Sequence, residues 1–314
     1  MTLAEIKLYK LKWNLLFAYF KLTGKKIQLK KYCGKLIDTA ADGNLLIKKK
    51  IIAGAPLAVG RLGYNELRTV IECIECKLSG QHSISEETKN LLCNNAGFFP
   101  NNDDEIFNFC ELMEESFQDI DILGVWNNKM EDLLVKDYMD GASLCELRGL
   151  EPYYFDEPWS GALKGKKVLV IHPFAESIIS QYQKHRQLFD NKEVLPDFDL
   201  KAIKAVQTIA GQKDSRFGTW FDALEYMFDE AMKTDFDIAL IGCGAYGLPL
   251  AVKIKKAGKQ AIHMGGATQI LFGIKGKRWD NHPVISQLYN DSWIRPSDME
   301  RPKEMNSIEN GCYW

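Results

Sequence analysis

Residues 235–266 read DFDIALIGCGAYGLPLAVKIKKAGKQAIHMGG, and this stretch decides the fold class. A short apolar run is followed by a glycine-rich turn, a segment with helical periodicity and a second apolar run. The order strand, turn, helix, strand is the repeating unit of parallel sheets. A similar alternation continues through the chain from residue 51. The sequence therefore predicts an α/β protein with an open, mainly parallel, Rossmann-like sheet and helices on both faces.

Three glycines between residues 242 and 247 have G-x-G-x-x-G spacing, which lets the backbone approach a phosphate at the start of a helix. NAD enzymes also carry an acidic residue about 20 positions further on. Here that place reads AIHMGG. The turn predicts a nucleotide and phosphate site, and NAD or FAD binding by an oxidoreductase stays an alternative. The residues expected to contact the nucleotide here are Gly242, Gly244, Tyr246, Gly247, His263, Gly265 and Gly266.

A second candidate site is GRLGYNEL, residues 60–67. Arg61 ends a strand-like run, and Asn65 and Glu66 stand at the start of a helical segment after the Gly63 turn. A carboxylate at this place could hold a divalent ion over a pyrophosphate, and Arg61 could neutralise the phosphates. Alternatively, Asn65 caps the helix and Glu66 complements the helix dipole. The spacing leaves both interpretations open.

A third candidate site is HPFAESIISQYQKHRQLF, residues 172–189. His172, Glu176 and Ser177 cluster where the predicted strand KKVLVIHPF becomes a helix, and open parallel sheets bind ligands at such places. Ser177 could cap the helix or donate to a phosphate. Glu176 and His172 are candidates for a general base by position alone. The sequence has no nucleophile elbow and no Walker-type loop, which argues against a hydrolase or an ordinary P-loop nucleotidase.

Charge is unevenly distributed along the 314 residues. Residues 1–50 hold 12 lysines and three acidic residues, whereas the whole chain has a net charge of −2. Because most of the chain is therefore acidic, nucleic acid is not expected as a ligand. The basic helical arm, and residues 1–30 in particular, is expected either to lie on an anionic membrane surface or to pack on its own body or on a second subunit in a homo-oligomer.

Three regions are predicted: the basic helical arm (1–50), an N-terminal half of the α/β domain (51–150) and a C-terminal half with the glycine-rich turn (151–314). The join near 150–165 is rich in Pro and Gly. The chain lacks a long apolar run and an export signal, so we expect a cytoplasmic protein, peripheral to the inner face of the membrane if the arm binds lipid. The eight cysteines are expected to be reduced.

The pairing of R-x-G-x-x-E at 61–66 with the late glycine stretch resembles the GT-D type glycosyltransferases of bacterial surface-polysaccharide and glycoprotein assembly. The stretches NNAGFFP (94–100), KVLVIHPFAESI (167–178), FGIKGKRW (272–279) and CYW (312–314) add to this resemblance. It covers roughly residues 55–314. The combination of motifs is more specific than any one of them.

The resemblance implies transfer of a hexosyl or related sugar from a nucleotide-sugar donor to a glycan or lipid-linked acceptor. It also implies a divalent metal, Mn or Mg, held by an Asp-x-Glu element. Glu66 matches the Glu of that element, and Arg61 and Gly63 match their counterparts. Tyr64 stands where the Asp is expected, which leaves the metal site one carboxylate short and makes a non-catalytic scaffold an alternative. Arg278 is a further candidate to bind phosphate.

Overall fold

This computed structural model describes residues 1–25, 27–209, 211–212, 214–302 and 311–314. The strands found in these ranges are β1 (Lys31–Tyr32), β2 (Lys35–Asp38), β3 (Leu57–Gly60), β4 (Ile122–Val125), β5 (Ser143–Glu146), β6 (Lys167–His172), β7 (Asp199–Lys204), β8 (Ile238–Ile241) and β9 (Gln260–His263). They form one sheet in the order β1-β2-β5-β4-β3-β9-β8-β6-β7. Only the β1–β2 pair is antiparallel among the described pairings. The predicted fold class is confirmed.

Helices cover both faces of the sheet. They are α1 (Leu3–Thr23), α2 (Ala40–Ala53), α3 (Tyr64–Ser79), α4 (Glu86–Asn90), α5 (Asp103–Gln118), α6 (Glu131–Tyr138), α7 (Ala175–Tyr182), α8 (Trp220–Met232), α9 (Gly247–Lys256) and α10 (Ala267–Leu271). One core lies under α1, α3, α5, α6, α8 and α9, and the other under α2, α7 and α10.

Strand β6 shows why the central strands read as continuous apolar runs. Leu169 and Ile171 belong to one core, whereas Val168 and Val170 belong to the other. A strand with a helical layer on each side must be apolar at both odd and even positions. The run KVLVIH therefore predicts a central strand, and the structure confirms it.

Residues 1–50 form more than a helical arm. Helix α1 packs on the body through Ile6 and Trp13, which are buried. The indole N–H of Trp13 donates to the buried carboxylate of Asp132 at 2.8 Å, and Lys12 pairs with the same carboxylate. After the helix, β1 and β2 add two strands to one edge of the sheet. These two strands are short and largely polar, so the sequence did not predict them.

The Pro- and Gly-rich join around residues 150–165 is well packed. It forms short 3-10 turns in which Tyr153, Trp159 and Leu163 are buried, and the Trp159 amide donates to Asn44 at 2.7 Å. The two halves of the chain meet where β3 pairs with β9 in the middle of the sheet. The division into three regions stays a prediction.

Two further observations concern the chain as a whole. A disulfide joins Cys73 of α3 to Cys110 of α5, so the expectation that all cysteines are reduced is wrong for this pair. In the ranges given above, none of the helices combines the length and the apolar content that crossing a bilayer requires.

Candidate functional site

A cavity of about 510 Å³ lies at the carboxyl ends of the central parallel strands. The chain leaves β6 toward β7 and leaves the neighbouring β8 toward β9, so the turns after these two strands diverge. A divergence of this kind opens a crevice at the edge of a parallel sheet, and ligands of such sheets bind there. His172 ends β6 and Gly242 follows β8, and both line the cavity.

The cavity brings together most of the residues selected from the sequence. Those that line it are Arg61, Gly63, Asn65, Glu66, His172, Gly242, Gly244, Tyr246, His263, Gly265, Gly266 and Arg278. Glu176, Ser177 and Gly247 are not among the lining residues. Segments nearly two hundred residues apart in the sequence therefore share one site.

The three glycines of the turn have different surroundings. A Cβ on Gly242 would lie 2.5 Å from the His172 ring, and one on Gly247 would overlap the His263 ring. Gly244 has a φ of +61°, and a Cβ there would meet only the Ala96 carbonyl at 3.6 Å. The first and third glycines thus allow close packing within the protein. Gly244 is the position where a ligand can approach the backbone, as the second glycine does in dinucleotide-binding turns.

Arg61 is stacked in the cavity wall. Its guanidinium carbon lies 3.7 Å from the centre of the Trp126 ring, and a Cβ on Gly265 would come within 3.3 Å of its Nη1 atom. Burial lowers the pKa of Arg61, and its electrostatic interactions with Tyr313, Glu66 and Glu151 act in the opposite direction. The arginine side chain nevertheless remains protonated, because its ordinary pKa lies far above neutral pH. Nearby, burial raises the pKa of Glu151 to about 7, while Arg61 counteracts that rise. Arg61 therefore offers a positioned positive charge to a ligand.

Glu66 lies in the first turn of α3, and its carboxylate folds back against Gly63 and over the start of its own helix. Burial raises the pKa of Glu66, whereas its own backbone N–H and Arg61 lower it. This position in the first turn is the one expected of a partner of the helix dipole, and both roles of Glu66 stay predictions. The interpretation of Asn65 as the helix cap is wrong, because Gly63 occupies that position without a side-chain bond.

Within the described ranges, Glu66 is the acidic side chain of the cavity lining, and Tyr64, where the resemblance calls for an Asp, is exposed. Among the described residues, no group of three or more His, Cys, Asp or Glu side chains is placed to hold a metal ion. A carboxylate already engaged by a helix start and facing an arginine is a poor ligand for a divalent cation. These side chains do not fit a resident divalent ion. The metal remains an implication of the resemblance.

The two cavity histidines are neutral. Burial lowers the pKa of His172 to about 3, and burial together with Arg61 lowers that of His263 to about 3. The Nδ1 atom of His172 accepts the Phe174 N–H at 3.0 Å, so the neutral ring carries its proton on Nε2. In this state His172 is a hydrogen-bond donor. To act as a base, His172 would have to use its Nδ1 atom, which already accepts the Phe174 N–H.

The start of α7 is capped from within the chain. The carboxylate of Glu300 accepts the amides of Glu176 at 3.0 Å and Ser177 at 3.1 Å, and the Ser177 hydroxyl also donates to it. The Glu176 side chain is exposed and pairs with Lys204 at 3.7 Å. The base role of Glu176 and the phosphate role of Ser177 stay predictions, and this geometry directs both groups away from the cavity.

Several lining residues were not selected from the sequence, among them Trp126, Asn95, Thr208 and Tyr313. Trp126 directly follows β4, so the rule for carboxyl ends of parallel strands could have identified it. Tyr313 accepts a hydrogen bond from Arg278 at 3.2 Å, and its carbonyl accepts one from Gln269 at 3.1 Å. The C-terminal residues 311–314 thus pack on the body beside the cavity, whereas residues 303–310 lie outside the described ranges.

Comparisons with known proteins yield two distant structural likenesses. No protein-family model and no curated protein matches the chain. One solved structure, of "the highly conserved domain of unknown function 1792", described as having "a distinct glycosyltransferase fold", is 12% identical with a TM-score of 0.47. A selenomethionine structure of domain of unknown function 1792 is 12% identical with a TM-score of 0.46. Each alignment covers 84% of this chain and 92% of the other. Likeness at this level carries no argument about activity.

Proposed function

We propose that this protein is a glycosyltransferase that uses a nucleotide-sugar donor. The observation that carries the proposal is that two guanidinium groups, of Arg61 and Arg278, line one cavity together with the glycine-rich turn around Gly244. The cavity of about 510 Å³ is of the size that holds a small molecule. Paired arginines beside an open backbone turn suit a diphosphate, which offers several negatively charged oxygens to bidentate donors.

The reaction breaks the bond between the sugar and the diphosphate, and negative charge develops on the leaving oxygen. Fixed positive groups that face this oxygen stabilise the transition state more than the ground state. Arg61 is held by Trp126, and Arg278 donates to the Tyr313 hydroxyl, so both cations are positioned before the ligand binds. His172 supplies an Nε2–H donor in the same cavity. No step is assigned to a metal ion.

The acceptor and the biological setting rest on the resemblance of residues 61–66 and 235–266 to GT-D type enzymes. We propose a glycan or lipid-linked acceptor in bacterial cell-surface polysaccharide synthesis, and catalysis on the cytoplasmic side. The oxidoreductase alternative keeps one supporting observation, since the surroundings of Gly242, Gly244 and Gly247 match those of a dinucleotide-binding turn.

A ligand panel distinguishes these functions. Calorimetry with UDP- and GDP-sugars, NAD and FAD is followed by an assay for release of the nucleoside diphosphate. We expect nucleotide sugars to bind and to turn over, and Arg61→Gln to weaken binding at least tenfold because a charged hydrogen bond is lost. Arg148→Gln is the control, since Arg148 stacks on Tyr154 outside the cavity lining.

Each result has a distinct meaning. Binding of NAD without binding of any nucleotide sugar would establish the oxidoreductase alternative. If the protein bound a nucleotide sugar but neither hydrolysed it nor transferred the sugar to an acceptor in an extract, the result would favour the non-catalytic scaffold.

A further inference from the structure

Helix α1 carries a second apolar face on the side opposite its contact with the body. Ile6 and Trp13 are fully buried, whereas five large apolar side chains of the same helix are largely exposed. We call these five the outer leucine face: Leu8 (63% exposed), Leu11 (56%), Leu15 (63%), Tyr19 (53%) and Leu22 (85%). Contiguous exposed apolar patches on a protein mark interaction sites.

The spacing of these residues forms a single stripe. At about 100° per residue, positions 8, 11, 15, 19 and 22 fall within a sector of about 80° on the helix surface. Trp13 lies about 140° away from Leu8 on the same wheel, on the side that contacts the body. The helix is therefore apolar on two faces, and only the inner face has a partner within the described residues.

The charges beside the stripe are basic. Lys7 and Lys21 lie on one side of it, whereas Lys12 on the other side already pairs with Asp132. Glu5 is the acidic residue of the helix, and it already pairs with Lys136 at 2.8 Å. If two copies packed through this face in antiparallel fashion, Lys7 would lie beside the Lys21 of the second copy. Like charges in these flanking positions oppose helix pairing, whereas they complement an anionic surface.

We propose that the outer leucine face docks on a membrane surface that contains anionic lipid. The helix then lies in the plane of the interface, with the leucines at the boundary of the acyl chains and the lysines among the headgroups. At 1.5 Å per residue the 21-residue helix presents a contact about 30 Å long. The proposal rests on exposure and charge alone, and it is independent of the proposed enzymatic function.

Co-sedimentation of the full chain with vesicles tests the docking. One set of vesicles is phosphatidylcholine with one third phosphatidylglycerol, and the other is phosphatidylcholine alone. We expect binding to the anionic vesicles, weakened about tenfold by L11Q/L15Q because two apolar side chains are lost from the interface. K7E/K21E is expected to weaken it similarly. The matched control is Ile179→Gln on α7, whose side chain is 45% exposed and which should bind as the unchanged chain does.

Three results would overturn the proposal. The first is binding by L11Q/L15Q that equals that of the unchanged chain. The second is equal binding to neutral and anionic vesicles. The third is a dimer, measured by light scattering, that L11Q/L15Q dissociates, since the face would then be a subunit interface. Circular dichroism confirms that the variants are folded, and if L11Q/L15Q unfolds, K7E/K21E and Leu8→Gln decide the outcome.

Discussion

The guanidinium carbon of Arg61 lies 3.7 Å from the centre of the Trp126 ring, although 65 residues separate them in the chain. The stacking holds a long side chain in one position, so a ligand does not bear the full entropy of ordering it.

Replacing this aromatic surface should weaken ligand binding without removing the charge. Trp126→Leu is expected to raise the Kd for the nucleoside diphosphate about tenfold, because cation–π contacts contribute roughly 0.5–2 kcal/mol. Tyr154→Leu, which removes the ring under Arg148, is the control and should leave the Kd unchanged. Calorimetry measures both. An unaltered Kd for Trp126→Leu would show that Arg61 does not need the ring.

The two cavity arginines should act on the same phosphates. Arg61→Gln and Arg278→Gln are each expected to cost about 1.5–3 kcal/mol in diphosphate binding. The double variant should lose less than the sum, because residues that share a ligand group are not additive. Binding of the uncharged nucleoside should change little. Arg216→Gln, which removes an exposed ion pair with Asp214, is the control. Strict additivity would indicate that the arginines bind separate groups.

Turnover should not depend on a divalent ion. Among the described residues, Glu66 is the acidic side chain of the cavity lining and is folded over the start of α3, and no group of three or more potential metal ligands is found there. We expect EDTA followed by desalting to change the release of nucleoside diphosphate by less than about twofold, since positive charge on the diphosphate comes from arginines. Loss of activity that Mn²⁺ restores would contradict this prediction.

Two glycines of the same turn should respond differently to alanine. Gly247→Ala is expected to destabilise the fold by about 3 kcal/mol, because a Cβ there overlaps the His263 ring and a packed core yields little. Gly244→Ala should cost only about 1 kcal/mol, the strain of a positive φ for a residue with a Cβ. Chemical denaturation measures both. If the two variants lost the same free energy of unfolding, the His263 ring would be free to move away from the added Cβ.

The neutral state of His172 should make stability depend on pH. Its folded pKa of about 3 lies below its ordinary value, so its contribution is complete above about pH 6.5 and is lost as the pH falls toward 3. Between pH 6.5 and 4.5 the free energy of unfolding should fall by about 2 kcal/mol more for the unchanged chain than for His172→Asn. Asparagine keeps an acceptor for the Phe174 amide but does not titrate. If the free energy of unfolding depended on pH equally in the unchanged chain and in His172→Asn, His172 would be accessible to protons in the folded state.

The regular, doubly buried parts of the fold could be predicted from the sequence. KVLVIH and IALI are apolar at every inner position because helices cover both sides, and this pattern is local. Strand β5 reads SLCE, which is short and half polar, so its pairing with β4 decides its structure rather than its composition.

The candidate site shows the same division between local and distant causes. The resemblance to GT-D type enzymes paired the Arg61 motif with the glycine turn, and both line one cavity because parallel strands place their carboxyl ends at one edge. The cap of α7 could not be predicted, because Glu300 reaches it from more than 120 residues away. Asn65 is a strong capping residue by type, yet Gly63 occupies the cap position and the helix already begins at Tyr64. Side-chain partners of this kind depend on tertiary packing.

The position of β9 has a consequence for how the chain folds. This strand is the last of the nine found in the described ranges, yet it lies in the interior of the sheet between β3 and β8. A nascent chain that has reached only β8 leaves both neighbours with open edges, and unpaired edges are prone to wrong pairing. Insertion of β9 closes this gap late and over a long sequence separation, which slows folding. The cavity floor, which His263 completes, therefore forms only at the end of that process.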